Sequence, residues 1–145
     1  MKQQNYDNHT RWYIPHHFIF YPFLLVAIAL SMYCGLRHPQ TRLIWMAITG
    51  VFLFVMWLSF MVRQHYALGN QNRIVRLEVR LRYYILTHQP FEPLEEKLTF
   101  GQIAALRFAP DNELAALVHR TIEEKLSADD IKKSIKNWLP DYMRL

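Results

Sequence analysis

Two long apolar runs, separated by only six residues, dominate the pattern of hydrophobic and polar positions along the chain. Residues 18–36 and residues 43–62 contain no Asp, Glu, Lys, Arg, His, Asn or Gln. At 19 and 20 residues, each run is long enough to cross the roughly 30 Å hydrocarbon core of a bilayer as a helix. The linker RHPQTR leaves room only for a tight turn. The pattern therefore predicts a transmembrane helical hairpin.

The polar remainder of the chain has helical spacing as well. After the second run, Ile74, Leu77, Leu81 and Tyr84 or Ile85 recur with the period of an amphipathic helix, and a break from the spanning helix is expected at Gly69-Asn70. Without that break, a single helix would continue out of the membrane.

Three short helices are predicted further along. Thr99 with Gln102 has the pattern of a capping box, Asp111 is expected to cap a helix over residues 112–126, and Ser127 is expected to cap a last helix. This last helix should end before Pro140 and bury Ile131, Ile135, Trp138 and Leu139.

These predictions define an all-α chain with four parts. Residues 1–13 form an N-terminal arm, either mobile or lying at the membrane interface. Residues 14–66 form the transmembrane hairpin, with spans at about 18–36 and 43–62. Residues 67–89 form a basic amphipathic juxtamembrane helix, and residues 90–145 form a small helical tail. The first run is longer than the apolar core of a signal peptide and ends Ser31-Met32-Tyr33-Cys34, where Tyr33 before Cys34 fits a lipoprotein signal poorly, so we expect it to be retained.

The net charge of +5 changes this picture only through its distribution. Residues 91–145 carry eight Lys/Arg and ten Asp/Glu, which argues against a nucleic-acid partner. The positive excess follows the second apolar run. Close to the ends of the two predicted spans, seven Lys/Arg lie in the segments before the first span and after the second. Two lie in the turn between the spans. The positive-inside rule therefore places both termini of this multi-pass protein in the cytoplasm.

Several stretches of the chain resemble one protein family. They are residues 4–9 (QNYDNH) with 15–17 (PHH), 61–68 (MVRQHYAL) with 71–78 (QNRIVRLE), 97–108 (KLTFGQIAALRF) and 131–138 (IKKSIKNW). They are similar to short two-helix membrane proteins from Bacteroidota that are known only as a domain of unknown function. The resemblance implies an all-α protein of a bacterial inner membrane with a cytoplasmic tail, and it assigns no catalytic residue.

Two groups of side chains are candidates for binding. Five arginines after the second run are expected to contact anionic lipid headgroups, and the alternative is a solvated or ion-paired helix face; they are Arg63, Arg73, Arg76, Arg80 and Arg82. His16, His17 and His65 lie at the hairpin ends that meet on one side of the membrane, where imidazoles can ligate a metal or haem iron. The alternative is that these histidines hydrogen-bond water and headgroups.

No catalytic constellation is present in the sequence. Glu92, Glu95 and Glu96 are expected at helix starts, where carboxylates favour the local dipole, or in exposed positions. We therefore expect a non-enzymatic interaction or accessory protein that acts through its helical tail, without a cofactor. Its expected partners are the anionic bilayer and either another membrane protein or a second copy of the chain. The alternative is a redox or metal- or haem-binding membrane subunit that uses the interfacial histidines.

Overall fold

The computed structural model describes residues 4–8 and 14–141, and every regular element within these residues is helical. The all-α fold class is confirmed. The chain divides between Gly69 and Asn70 into two compact units. We call described residues 14–69 the apolar unit, and described residues 4–8 and 70–141 the polar unit.

Two long helices build the apolar unit. Helix α1 (Tyr21–Arg37) follows a π-helical segment, Pro15–Phe20, and helix α2 (Arg42–Met61) leads into another π-helical segment, Val62–Ala67. A 3-10 turn at Pro39–Thr41 joins the two helices. By length and composition, both are long and apolar enough to cross a membrane.

Small residues allow α1 and α2 to pack closely. Near the turn, a Cβ atom added to Gly35 would lie 3.3 Å from the Cβ atom of Trp45. Farther from the turn, the hydroxyls of Ser31 and Thr49 are 2.8 Å apart and share a hydrogen bond. The contacts move away from the turn along both helices, so the helices are antiparallel. Small and hydroxyl-bearing residues at such an interface are typical of helix pairs in membranes.

Five helices form most of the polar unit. They are α3 (Leu68–Thr87), α4 (Glu92–Glu95), α5 (Phe100–Leu106), α6 (Asp111–Glu124) and α7 (Ala128–Ser134). A 3-10 turn at Tyr6–Asn8 belongs to the same unit.

One face of α3 contributes to the hydrophobic core of the polar unit. Val79 and Tyr83 are almost completely buried, and the Tyr83 ring lies 5.2 Å from the Phe91 ring, centroid to centroid. The other helices add large apolar side chains that are buried as deeply, among them Ile103, Leu106, Leu114, Val118 and Ile131. Burying such side chains stabilises the fold by about 1.5–3 kcal/mol each, so this core holds α3 against the shorter helices.

The predicted capping box at Thr99 and the predicted cap at Ser127 are both confirmed. The Thr99 hydroxyl accepts a hydrogen bond from the Gln102 backbone N–H, and the Gln102 side chain accepts one from the Thr99 backbone N–H. Ser127 and Asp130 make the same reciprocal pair at the start of α7. Each box satisfies backbone donors that the first helical turn leaves unpaired.

Two predicted boundaries are wrong. The expected break at Gly69-Asn70 is absent, because one helix of 49 residues runs over Pro39–Thr87 and no side chain or proline interrupts it there. Asp111 does not cap α6. Its N-cap is Pro110, and Asp111 lies in the first turn, where its carboxylate pairs with Arg82.

The last predicted helix is shorter than expected. Helix α7 ends at Ser134, and the extended backbone of Ile135 turns the chain so that the Trp138 ring packs 4.9 Å from the Phe108 ring. Leu139 was predicted to be buried, and it is 42% exposed. It lies past the helix end, where its backbone N–H donates to the Phe108 carbonyl oxygen at 2.8 Å.

Part of the N-terminal arm packs against the polar unit. Gln4 is buried, and its side-chain oxygen accepts a hydrogen bond from the Asp141 backbone N–H at 2.7 Å. The Lys133 ammonium group lies 5.4 Å from the centre of the Tyr6 ring. The rest of the predicted arm, residues 1–3 and 9–13, lies outside the described residues.

Candidate functional site

Helix α3 presents three distinct faces. Its inner face, Val75, Val79 and Tyr83, enters the core. A second face carries arginines, and a third carries large apolar side chains that lie outside the core. The two non-core faces are the candidate functional surfaces of the polar unit.

The arginine face holds a buried carboxylate. Glu95, at the end of α4, has a side chain only 8% exposed. It pairs with the Arg76 guanidinium group through one carboxylate oxygen and with the Arg80 Nε atom through the other. Glu92 lies farther out, 3.7 Å from the Arg80 Nη1 atom. Glu95 lies in the first turn of α4, as expected for a helix-start carboxylate, but its side chain is buried.

The charge on Glu95 is maintained by these partners. Burial raises the pKa of this carboxyl group, but the hydrogen bonds from Arg80 and Arg76 and their positive charges outweigh burial, so the net pKa is lowered. A charged donor compensates a buried carboxylate better than a neutral donor does. The group therefore remains ionised and connects α3 to α4.

Arg82 makes a second connection between α3 and the shorter helices. Its guanidinium group donates to the carbonyl oxygens of Arg107 and Ala109, at 3.0 and 2.8 Å, just beyond the end of α5. The same group pairs with the Asp111 carboxylate at 2.7 Å, in the first turn of α6. A cation at a helix C-terminus satisfies unpaired carbonyl groups and is favoured by the helix dipole. Arg82 therefore has a structural role in this unit.

These contacts bear on the predicted lipid site. Arg76, Arg80 and Arg82 have carboxylate partners within the polar unit, which matches the ion-paired alternative. Within the described part of the chain, Arg63 and Arg73 make no ion pair. Contact of the five arginines with lipid headgroups stays a prediction. The sequence did not reveal Glu95 as the partner, because it lies 15 and 19 positions from the two arginines and beyond the end of their helix.

The third face of α3 is the outer stripe, which we define as Ile74, Leu77, Leu81, Tyr84 and Ile85. Each of its side chains is between 55 and 63% exposed. The tail packs instead on Val75, Val79 and Tyr83, on the other side of the helix. The outer stripe is thus apolar surface that the core of the polar unit does not use.

The three candidate histidines lie in the π-helical segments of the apolar unit. The His16 ring contacts the rings of His17, Phe20 and Tyr21, with centroids 4.7–5.8 Å apart. His65 lies in the segment Val62–Ala67. Residues 4–8 and 14–141 contain no group of three His, Cys, Asp or Glu side chains suited to a metal ion. Metal binding by these histidines stays a prediction.

The fold and these surfaces define an all-helical protein with two long apolar helices and a small helical unit built on α3. A family model described as a family of unknown function, DUF6526, matches residues 1–145, and the chain belongs to this family. No curated protein matches the chain. No solved structure matches it either.

Proposed function

We propose that the protein is an integral membrane protein whose chain crosses the bilayer twice, through α1 and α2. The observation that carries this proposal is the exposure of α2. None of its twenty residues is buried, although the helix is almost entirely apolar. The core helix of a soluble protein would be covered by other elements, whereas here side chains such as Leu43, Phe54 and Trp57 are more than half exposed. An apolar surface of this size indicates a membrane or another covering partner.

The orientation proposed from the charge distribution places both termini in the cytoplasm of a bacterium. The contact between Gln4 and Asp141 supports the same-side placement, because two crossings return the chain to the side from which it started. The excess of Lys and Arg at these ends favours the cytoplasmic side. Membership of the Bacteroidota group of such proteins is part of the same proposal.

The proposed role is that of a non-enzymatic interaction or accessory module, anchored by the hairpin and acting through the polar unit. Support comes from the outer stripe of α3, an apolar surface that the polar unit's own core leaves uncovered. The redox or metal-binding alternative, through His16, His17 and His65, rests on the sequence pattern alone.

Membrane extraction tests the proposed crossing. The full chain, expressed in a bacterium, should remain in the membrane pellet after alkaline carbonate washing and should be released by a mild detergent. Recovery of folded protein in the carbonate supernatant would overturn the proposal.

A matched pair of variants sharpens this test. Val51→Arg places a charge at the centre of α2, where insertion should cost about 2.5–3.5 kcal/mol. Leu43→Arg places the same charge near the end of α2, where the side chain can reach the headgroups. The first variant should lose membrane retention and the second should keep it. Equal behaviour of the two would contradict a spanning α2.

A further inference from the structure

We propose that the outer stripe of α3 binds the same stripe of a second copy of the chain, in a parallel helix pair. This inference rests on the proposed membrane anchoring and names the partner of the polar unit. It explains why α3 carries two apolar faces although its own core requires only one.

The spacing of the stripe is that of a two-helix seam. Ile74, Leu77, Leu81 and Tyr84 follow one another at intervals of three, four and three residues, which are the a and d positions of a heptad pattern. Ile85 flanks the seam. The inner face, Val75, Val79 and Tyr83, is occupied by the core and cannot serve the second copy.

The charges beside the seam favour a parallel arrangement. Arg73 and Glu78 occupy the g and e positions on either side of the stripe, and within the described residues neither side chain makes an ion pair. In a parallel pair, the g position of one helix lies beside the e position five residues later on its partner. Each Arg73 therefore meets the Glu78 of the other copy, and two symmetric ion pairs form. In an antiparallel pair, Arg73 would not lie beside the Glu78 of the other copy, so these two ion pairs would not form.

Chain connectivity favours the same arrangement. Only the segment Val62–Ala67 separates α2 from α3. Two copies inserted in one bilayer with the same orientation therefore enter α3 from the same side of the membrane. A seam of fewer than two heptads would be weak between free helices. Anchoring both copies in one membrane raises their effective concentration, which lowers the affinity that the seam must supply.

Cysteine cross-linking in membranes tests the seam. Cys34 is first replaced by alanine, and a single cysteine is introduced as Leu81→Cys or Leu77→Cys. Side chains at a and d positions face their counterparts across a parallel pair, so mild oxidation should link most of each variant into dimers. Ala116→Cys is the control, because Ala116 is exposed on α6 and lies away from the stripe. Equal cross-linking at position 116, or none at positions 77 and 81, would overturn the proposal.

Charge exchange tests the parallel register. In an otherwise unchanged full chain, Arg73→Glu should weaken the dimer. The reason is that two exposed ion pairs raise the association constant roughly two- to thirty-fold. Adding Glu78→Arg to Arg73→Glu should restore the dimer, since the pairs then form with reversed charges. Failure of the double variant to recover would contradict the arrangement.

Two other occupants of the stripe would give different results. If the stripe lay on the lipid surface, Leu81→Cys would not cross-link. Removing the bilayer with detergent would then speed the reaction of the introduced cysteine with a water-soluble maleimide. If another protein covered it, the linked product would not have twice the mass of the chain. Either result would overturn the second-copy proposal. Carbonate extraction of the same samples separates the two levels of inference: a retained but unlinked chain refutes the seam alone, and a released chain refutes the anchoring.

Discussion

Replacing Glu95 by glutamine should destabilise the polar unit selectively. Glu95→Gln preserves the shape of the side chain and removes the charge that holds Arg76 and Arg80. Breaking one partner of a fully buried ion pair costs about 3–5 kcal/mol. Here the arginine side chains are 37 and 38% exposed, so water partly replaces the lost partner. We therefore expect a loss of about 2 kcal/mol, close to the value of a hydrogen bond to a charged group.

Glu92→Gln is the matched control for this substitution. Glu92 is on the same helix and approaches Arg80, but its side chain is 57% exposed, and exposed pairs contribute about 0–1 kcal/mol. The assay is urea unfolding of the full chain in mild detergent, followed by fluorescence of Trp138, with the other three tryptophans replaced by phenylalanine. Trp138 packs against Phe108 inside the polar unit. If Glu95→Gln lowers the unfolding free energy no more than Glu92→Gln does, the reasoning is refuted.

Acidification should remove the same contribution. The folded state lowers the pKa of Glu95, so its stabilisation is fully present above the ordinary carboxyl pKa and is lost as the pH falls through the lower folded-state pKa. The difference in unfolding free energy between the natural chain and Glu95→Gln should therefore shrink in that acidic range. A difference that persists at low pH would mean that charge is not the cause.

Two further substitutions test packing in the two units. Gly35→Val should loosen the α1–α2 pair, because even a Cβ atom there lies 3.3 Å from the Trp45 Cβ atom; Gly50→Val, which meets no atom within 4 Å, is the control. A lower thermal midpoint in detergent is expected for Gly35→Val only, and equal midpoints would refute the close approach. Leu114→Ala should cost the polar unit about 2–5 kcal/mol in urea unfolding, since it leaves a cavity in the core. Leu139→Ala, at an exposed position, should cost far less, and similar losses would contradict the assigned core.

Features that depend on neighbouring residues were predictable from the sequence. The capping boxes at Thr99 and Ser127 need only residues three positions apart, and the apolar runs identify α1 and α2 by length. The continuity through Gly69 was missed because a single glycine weakens a helix by only about 1 kcal/mol. The helical turns on both sides of Gly69 continue through it, and their stability outweighs that cost.

Features that depend on distant residues were not predictable in the same way. Both the outer stripe and the face with Val75, Val79 and Tyr83 have helical spacing, so periodicity alone does not decide which face enters the core. Leucine and isoleucine suggested the outer stripe, whereas the structure buries the inner face with its two valines and Tyr83. The burial of Glu95 depends on two arginines in another helix, and no local pattern signals that contact.

Membrane topology is the most direct test of the central claim that the chain crosses the bilayer twice. A reporter that is active only in the cytoplasm is fused after Leu145 in one chain and inserted after Pro39 in another. The predicted result is activity at the C-terminal position and none at the turn. Activity at both positions would show that the turn never leaves the cytoplasm, and it would contradict the crossing of α1 and α2.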